Sequence, residues 1–145
     1  MKTIEVKEMF RAIRKEHKEI VHISEMIRTE ESLLLPQAIR YDKDRVQTSP
    51  EDKFSEICAK ISDMQEELGR SIVKLKTKQM NAERMIMGLD NTDEREVMRW
   101  YYMTVEDGKT LTWEEVAAHM NFDKRHVLRL HGNALIHISE IKGGK

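Results

Sequence analysis

Apolar residues recur on a single helical stripe along the first part of the chain. Val6, Phe10, Ile13, Ile20 and Ile27 stand at a and d spacing, with His17 and Ser24 filling two d positions. Charges occupy most positions between, so the pattern predicts a helix over 4–34 with one apolar seam. Such a helix is marginal alone, because helices in water are held mostly by burying their seam. Leu33, Leu34, Leu35 and Pro36 interrupt the period. Residues 35–49 read as a connector whose Ile39, Tyr41 and Val46 are expected to dock on a helix surface. A start signal follows: Ser49 as N-cap, Pro50 at the first helical position, and Glu51 and Asp52 in the first turn. The second helix is expected over 50–89, with Gly69 as its one breaker. Phe54, Ile57, Ile61, Met64, Leu68, Ile72, Leu75, Ala82, Met85 and Leu89 form its stripe. A pattern this long predicts a coiled coil or a helical hairpin. The favoured arrangement folds the first helix back antiparallel on the second, with homodimerisation through this stem covering the remaining apolar surface.

Beyond residue 89 the punctuation changes. Asn91 or Thr92 can cap a new helix whose Asp93, Glu94 and Glu96 suit the positive end of its dipole, and Val97, Met98, Trp100 and Tyr101 supply its buried side. The polar stretch VEDGKT, with the turn pair Asp107-Gly108, ends it. Thr112 and Glu115 make a capping box for a short helix over Trp113 to Met120, with Val116, Ala117 and Met120 inward. Asn121-Phe122-Asp123 is a tight connector, and Asp123 can cap a last helix that carries Val127, Leu130, Ala134, Leu135 and Ile138 at three-and-four spacing. Gly143 and Gly144 end it. The expected fold is therefore all-α: a helical stem over 1–89 and a trihelical helix-turn-helix module over 90–145.

That module suggests a chemistry. With Val127, Leu130 and Ala134 turned inward, Lys124, Arg125, Leu128 and Arg129 face outward on the first turns of the last helix. An Arg fork there can bond guanine O6 and N7 in the major groove. Lys124, Arg125 and Arg129 are the main candidates for contact with double-stranded DNA, and His126 and His131 are weaker ones, with Asn133 also outward. Cations at a helix N-terminus oppose its dipole, so their clustering asks for a reason other than stability. Ala117 is small where the two helices of the motif must cross closely.

Composition narrows the alternatives. Of 145 residues 35% are charged and 6% aromatic, which suits long solvated helices, and ten methionines suit packing between them. The formal net charge of -1 means that any DNA affinity must come from a local patch, and from Asp90 onward ten acidic residues face eight basic ones. Lone Cys58 has no partner for a disulfide or a zinc site, the start has no apolar signal-peptide core, and no segment is apolar enough for a bilayer span. A reduced, cytoplasmic protein without membrane contact is expected. The six histidines fall at spacings that miss the i, i+4 pairing of a helical metal site, such as His17 with His22 and His126 with His131. No metal, no other cofactor and no catalytic activity are expected, since phosphate loops and activated nucleophiles are missing too. The alternation of Arg11, Arg14, Lys15 and Lys18 with Glu8, Glu16 and Glu19 argues against a basic membrane helix. His17 reads as a polar seam residue that sets register.

The segment WEEVAAHMNFDKRHVLRLHGNALIHI resembles the helix-turn-helix of sigma-factor region four, through Glu115, Val116 and Ala117 and then Ala134 and Leu135. More of the chain, roughly residues 33–138, resembles a family of small phage proteins of Gram-positive hosts. Tyr41, Asp42, Val46, Gln47, Ser49 and Pro50, then Trp113, Glu114, Glu115, Ala117 and the run Arg129-Leu130-His131-Gly132 carry that match. Phage regulators of late genes and of autolysin export are similar in the C-terminal part only. These resemblances imply a phage-encoded transcriptional regulator whose Lys124, Arg125 and Arg129 read a promoter element, with host RNA polymerase as a further partner. Leu128 departs from the cation frequent at that outward position, and nothing resembles the polymerase-binding region two, so a complete sigma factor is not implied. Two alternatives stay open: a packaging or other protein-interaction adaptor of the small-terminase kind, and a regulator that binds RNA polymerase without reading DNA.

Overall fold

The computed structural model describes residues 1–43 and 50–143, with the side chains of 35–43, 50, 51 and 143 left aside. Among the described residues the chain forms five helices and one small ribbon, so the fold is all-α. In order they are α1 (Thr3–Lys43), α2 (Pro50–Met87), α3 (Thr92–Met103), β1 (Val105–Glu106), β2 (Lys109–Thr110), α4 (Trp113–Met120) and α5 (Lys124–Gly143). The first helix does not stop at Leu34 but runs through Pro36 to Lys43. A proline inside a helix removes one backbone donor and crowds the preceding turn, and the good helix formers Gln37, Ala38 and Arg40 carry the helix past it. The expected cap at Ser49 and the docking of Val46 lie outside the described residues, as do the side chains of Ile39 and Tyr41.

Packing divides the chain into two compact units, Glu19–Val73 and a second made of Met1–Lys18 with Lys74–Lys145. In the first, Ile23 and Ile27 of α1 cluster with Ile61 and Met64 of α2, flanked by Leu34, Ile57 and Leu68. Lys60 Nζ bonds Glu30 Oε1 across them at 2.8 Å. Two seam positions differ from expectation. Ile23 is buried in place of the exposed Ser24, and Ser71 is buried in place of Ile72, which is 41% exposed. A straight helix drifts by about 20° per heptad against the seam, so the neighbouring residue moves inward whatever its polarity. Phe54, expected on the stripe, is also exposed.

The other unit takes in more of the chain than 90–145. Here α1 contributes Val6, Phe10 and Ile13 to the core, and α2 contributes Leu75, Ala82, Met85 and Ile86. The rings of Phe10 and Tyr102 lie 5.3 Å apart, which docks the start of α1 on α3. Polar pairs flank that seam: Lys78 Nζ donates to Glu16 Oε1 at 3.1 Å, and Gln79 Nε2 lies 3.2 Å from His17 Nε2. His17 is half-buried and its pKa is lowered, first by burial and then by Lys76, so the neutral ring accepts the amide hydrogen.

Helices α3, α4 and α5 pack on one another around Val97, Leu111, Val116, Ala117, Val127 and Leu130. Local chemistry fixes each boundary. Asn91 Oδ1 accepts from the Asp93 and Glu94 amides, and Thr112 with Glu115 closes the capping box in both directions. Between them VEDGKT is more than a turn. Val105 pairs with Thr110 and Glu106 with Lys109, and Asp107 (φ 51°) and Gly108 (φ 75°) both take the left-handed conformation of a type I′ hairpin. Its strands are too short to leave an alternation in the sequence.

Phe10→Ala should lower the unfolding free energy by about 3–5 kcal/mol, the usual range for emptying a buried aromatic site. Ile4→Ala, at a position 59% exposed, should change it by less than about 0.5 kcal/mol. Urea denaturation followed by circular dichroism compares the two.

Candidate nucleic-acid interface

Helix α4 ends at Asn121, whose left-handed backbone (φ 57°) turns the chain sharply, and the Phe122 amide donates back to the Ala117 carbonyl at 3.1 Å. Asp123 then caps α5 by accepting from the His126 amide at 2.7 Å. This turn sends α5 off with Val127, Leu130 and Ala134 buried and with Lys124, Arg125 and Arg129 exposed. Leu128 lies on the same outward face, 39% exposed. Lys124 Nζ donates to Glu114 Oε2 at 3.3 Å, and Arg129 Nη2 lies 3.0 Å from His126 Nδ1. His126 in turn meets Phe122 edge-on, 4.6 Å between centroids. Hydrogen bonding to its own backbone amide, and then to Lys124, holds the Glu114 carboxyl below its ordinary range.

His131 does not belong to this face. It is buried, with Nε2 2.6 Å from the Tyr102 hydroxyl and its ring 4.6 Å from that of Trp113. Burial, and then the charges of Lys7 and Arg11, push its pKa down to about 4. The reason is geometric: His131 stands four residues after Val127 and so shares the buried side of α5. Burial likewise raises the Tyr102 pKa, so the pair is neutral.

A second cationic surface lies in the same compact unit, and the sequence pattern did not single it out. Lys7, Arg11, Arg14 and Lys18 of α1 follow one another at steps of four, three and four, which collects them on one side of the helix, and Lys15 stands at the edge of that stripe beside Arg14. They line a groove of about 420 Å³, whose other walls are Tyr101, Tyr102, Trp113, Leu128 and His131. Among the described residues no acidic one lines it. Arg14 fastens the groove: its guanidinium lies 3.9 Å over the Tyr101 ring, and Nη1 donates to the Tyr101 carbonyl at 2.8 Å. Tyr101 stacks on Trp113 at 3.6 Å with an interplanar angle of 4°. Leu128 belongs both to the groove and to the exposed face of α5. The signal was the spacing of the cations. Counted linearly they alternate with glutamates; wound on a helix they separate from most of them.

Among the described residues no three His, Cys, Asp or Glu side chains converge as metal ligands would, and no helix is long and apolar enough to cross a membrane. Comparison with family models, with curated proteins and with solved structures finds no match to this chain.

On the far side of α5, His137 Nδ1 lies 2.7 Å from Oε1 of Glu94, itself buried in α3. That hydrogen bond raises the His137 pKa above 6.5. His131 and His137 therefore act on stability with opposite sign. As pH falls from 6.5 toward about 4, the unfolded chain takes up the proton that buried His131 refuses, and stability drops. The contribution of His137 is full below 6.5 and is lost as pH rises through its raised folded value. His131→Gln should flatten the stability–pH profile between 6.5 and about 4, whereas His137→Gln should flatten the limb above 6.5. Urea midpoints measured across that range check both.

Proposed function

We propose that the protein is a DNA-binding transcriptional regulator that reads duplex DNA through the first turns of α5. The observation that carries this reading is the exposed row Lys124, Arg125, Leu128 and Arg129 on a helix that leaves a tight turn after α4. Helix α5 has no acidic residue before Glu140. Its first two turns therefore present cations, an imidazole and apolar side chains, and no carboxylate of their own, to a polyanion. Arg125 and Arg129 suit guanine edges or phosphates, and Leu128 suits the methyl group of thymine. The cations gain nothing from the helix dipole at this end, which supports a role in binding rather than in folding. The resemblance of residues 113–138 to sigma-factor region four, and of residues 33–138 to small phage proteins, supports a phage-encoded regulator that acts at a promoter.

Fragments of the protein's own genome retained by the purified chain at low salt would supply the target. Arg125→Ala and Arg129→Ala should each weaken binding to the best fragment by about 1–3 kcal/mol if the side chain contacts a base. Their effect on random duplex should be smaller. Mobility-shift titration against target and random DNA measures both quantities. Failure of the wild-type chain to retain any genomic fragment at low salt would overturn the proposal.

A further inference from the structure

We infer that the basic groove beside α5 seats the sugar-phosphate backbone of the same DNA, with Lys7, Lys15 and Lys18 as its phosphate contacts. The inference rests on the DNA-binding reading of α5 and assigns a role to α1, which that reading leaves without one.

Charge selects the ligand class. Among the described residues the groove walls carry five cations and no carboxylate. Two of the five are engaged elsewhere: Arg14 holds the Tyr101 ring and carbonyl, and Arg11 Nη1 lies 3.5 Å from Glu8 Oε1. Among the described residues no carboxylate pairs with Lys7, Lys15 or Lys18. Lys15 and Lys18 are exposed and Lys7 is half-buried. Their charges also reach inward, since Lys7 and Arg11 help to keep His131 unprotonated. A positive field left uncompensated by the protein is matched by an anionic ligand.

Shape selects the form of that ligand. Lys7 and Lys18 are eleven residues apart on one helix, about 16 Å at 1.5 Å per residue. Successive phosphates of one DNA strand advance by about 3.4 Å along the duplex axis, so the stripe matches the rise of roughly four to five of them. A free phosphate or short polyphosphate would reach one end of the row and leave the other uncompensated. The aromatic wall adds no seat for an inserted base, because the Tyr101 ring is covered by Arg14 on one side and by Trp113 on the other. Leu128 joins the groove to the α5 face, so a strand leaving that face continues along the row.

The experiment is the salt dependence of binding. Each phosphate neutralised adds about 0.9 to the slope of log K against log salt. In the full-length chain, the combined variant Lys7→Gln, Lys15→Gln, Lys18→Gln should lower the magnitude of that slope by roughly 2–3, on target and random duplex alike, and leave their affinity ratio unchanged. The matching Lys→Arg variant should restore the wild-type slope, which separates charge from folding. Arg125→Ala should instead change the target-to-random ratio. A combined Gln variant that folds and keeps the wild-type slope overturns the phosphate seat and leaves α5 readout standing. A groove that takes up inorganic tripolyphosphate in a Lys-dependent way, with the DNA slope unaltered, also overturns it in favour of a small anion. If the wild-type chain binds no duplex at low salt, both assignments fall together.

Discussion

The docking of α1 on α3 is the contact on which the C-terminal part of the protein depends. Phe10 is fully buried beside Tyr102, and Arg14 covers Tyr101 while bonding its carbonyl. These two contacts use adjacent residues of one helix turn on α3, so α1 is fixed in rotation as well as position. With Phe10 and Ile13 turned inward, the i+4 and i+3 neighbours of Lys7 and Arg11 have no choice but to face the same groove. Apolar burial thus decides where the cations stand. The arrangement also settles Tyr101 and Trp113 into a stacked pair, which lines the groove beside the Tyr102–His131 pair.

A chain with net charge -1 holds this cationic groove because charge is segregated, not because it is scarce. The acidic residues of the trihelical part serve other ends. Glu115 completes a cap, Glu94 meets His137, and Glu106 meets His119 at 2.9 Å, while Glu83 of α2 pairs with Arg99 of α3. Each is held away from the groove by its own element. Net charge describes how the whole molecule moves in a field, whereas binding to a polyanion depends on what lies within about one Debye length of the contact.

Legibility followed the range of the determining interactions. Boundaries of α3, α4 and α5 could be read because Asn91, Thr112 with Glu115, and Asp123 satisfy helix-end groups within three residues. The seam positions Ile23 and Ser71 were less legible, since the phase of a long helix is set by what it packs on and a polar residue can be carried inward. His131 was misplaced on the outer face because its polarity suggested exposure, while its phase relative to Val127 placed it inside beside Tyr102. Of the groove only the cationic stripe of α1 could be read in advance, through its helical spacing, and not the walls it meets. Its cations stand before residue 19 and its aromatic wall after residue 100, and only tertiary docking brings them together.

That sequence separation bears on how the molecule acquires its structure. Arg14 and Tyr101 are 87 residues apart and Thr3 and Ser139 are 136 apart, yet each pair is in hydrogen-bond contact. During synthesis residues 1–18 precede α3 and α5, so Val6, Phe10 and Ile13 lack part of their cover until those helices have left the ribosome. Closing so long a loop is entropically unfavourable and makes docking of this segment a late event, after the local helices have formed. Enclosure of this segment therefore depends on residues synthesised much later.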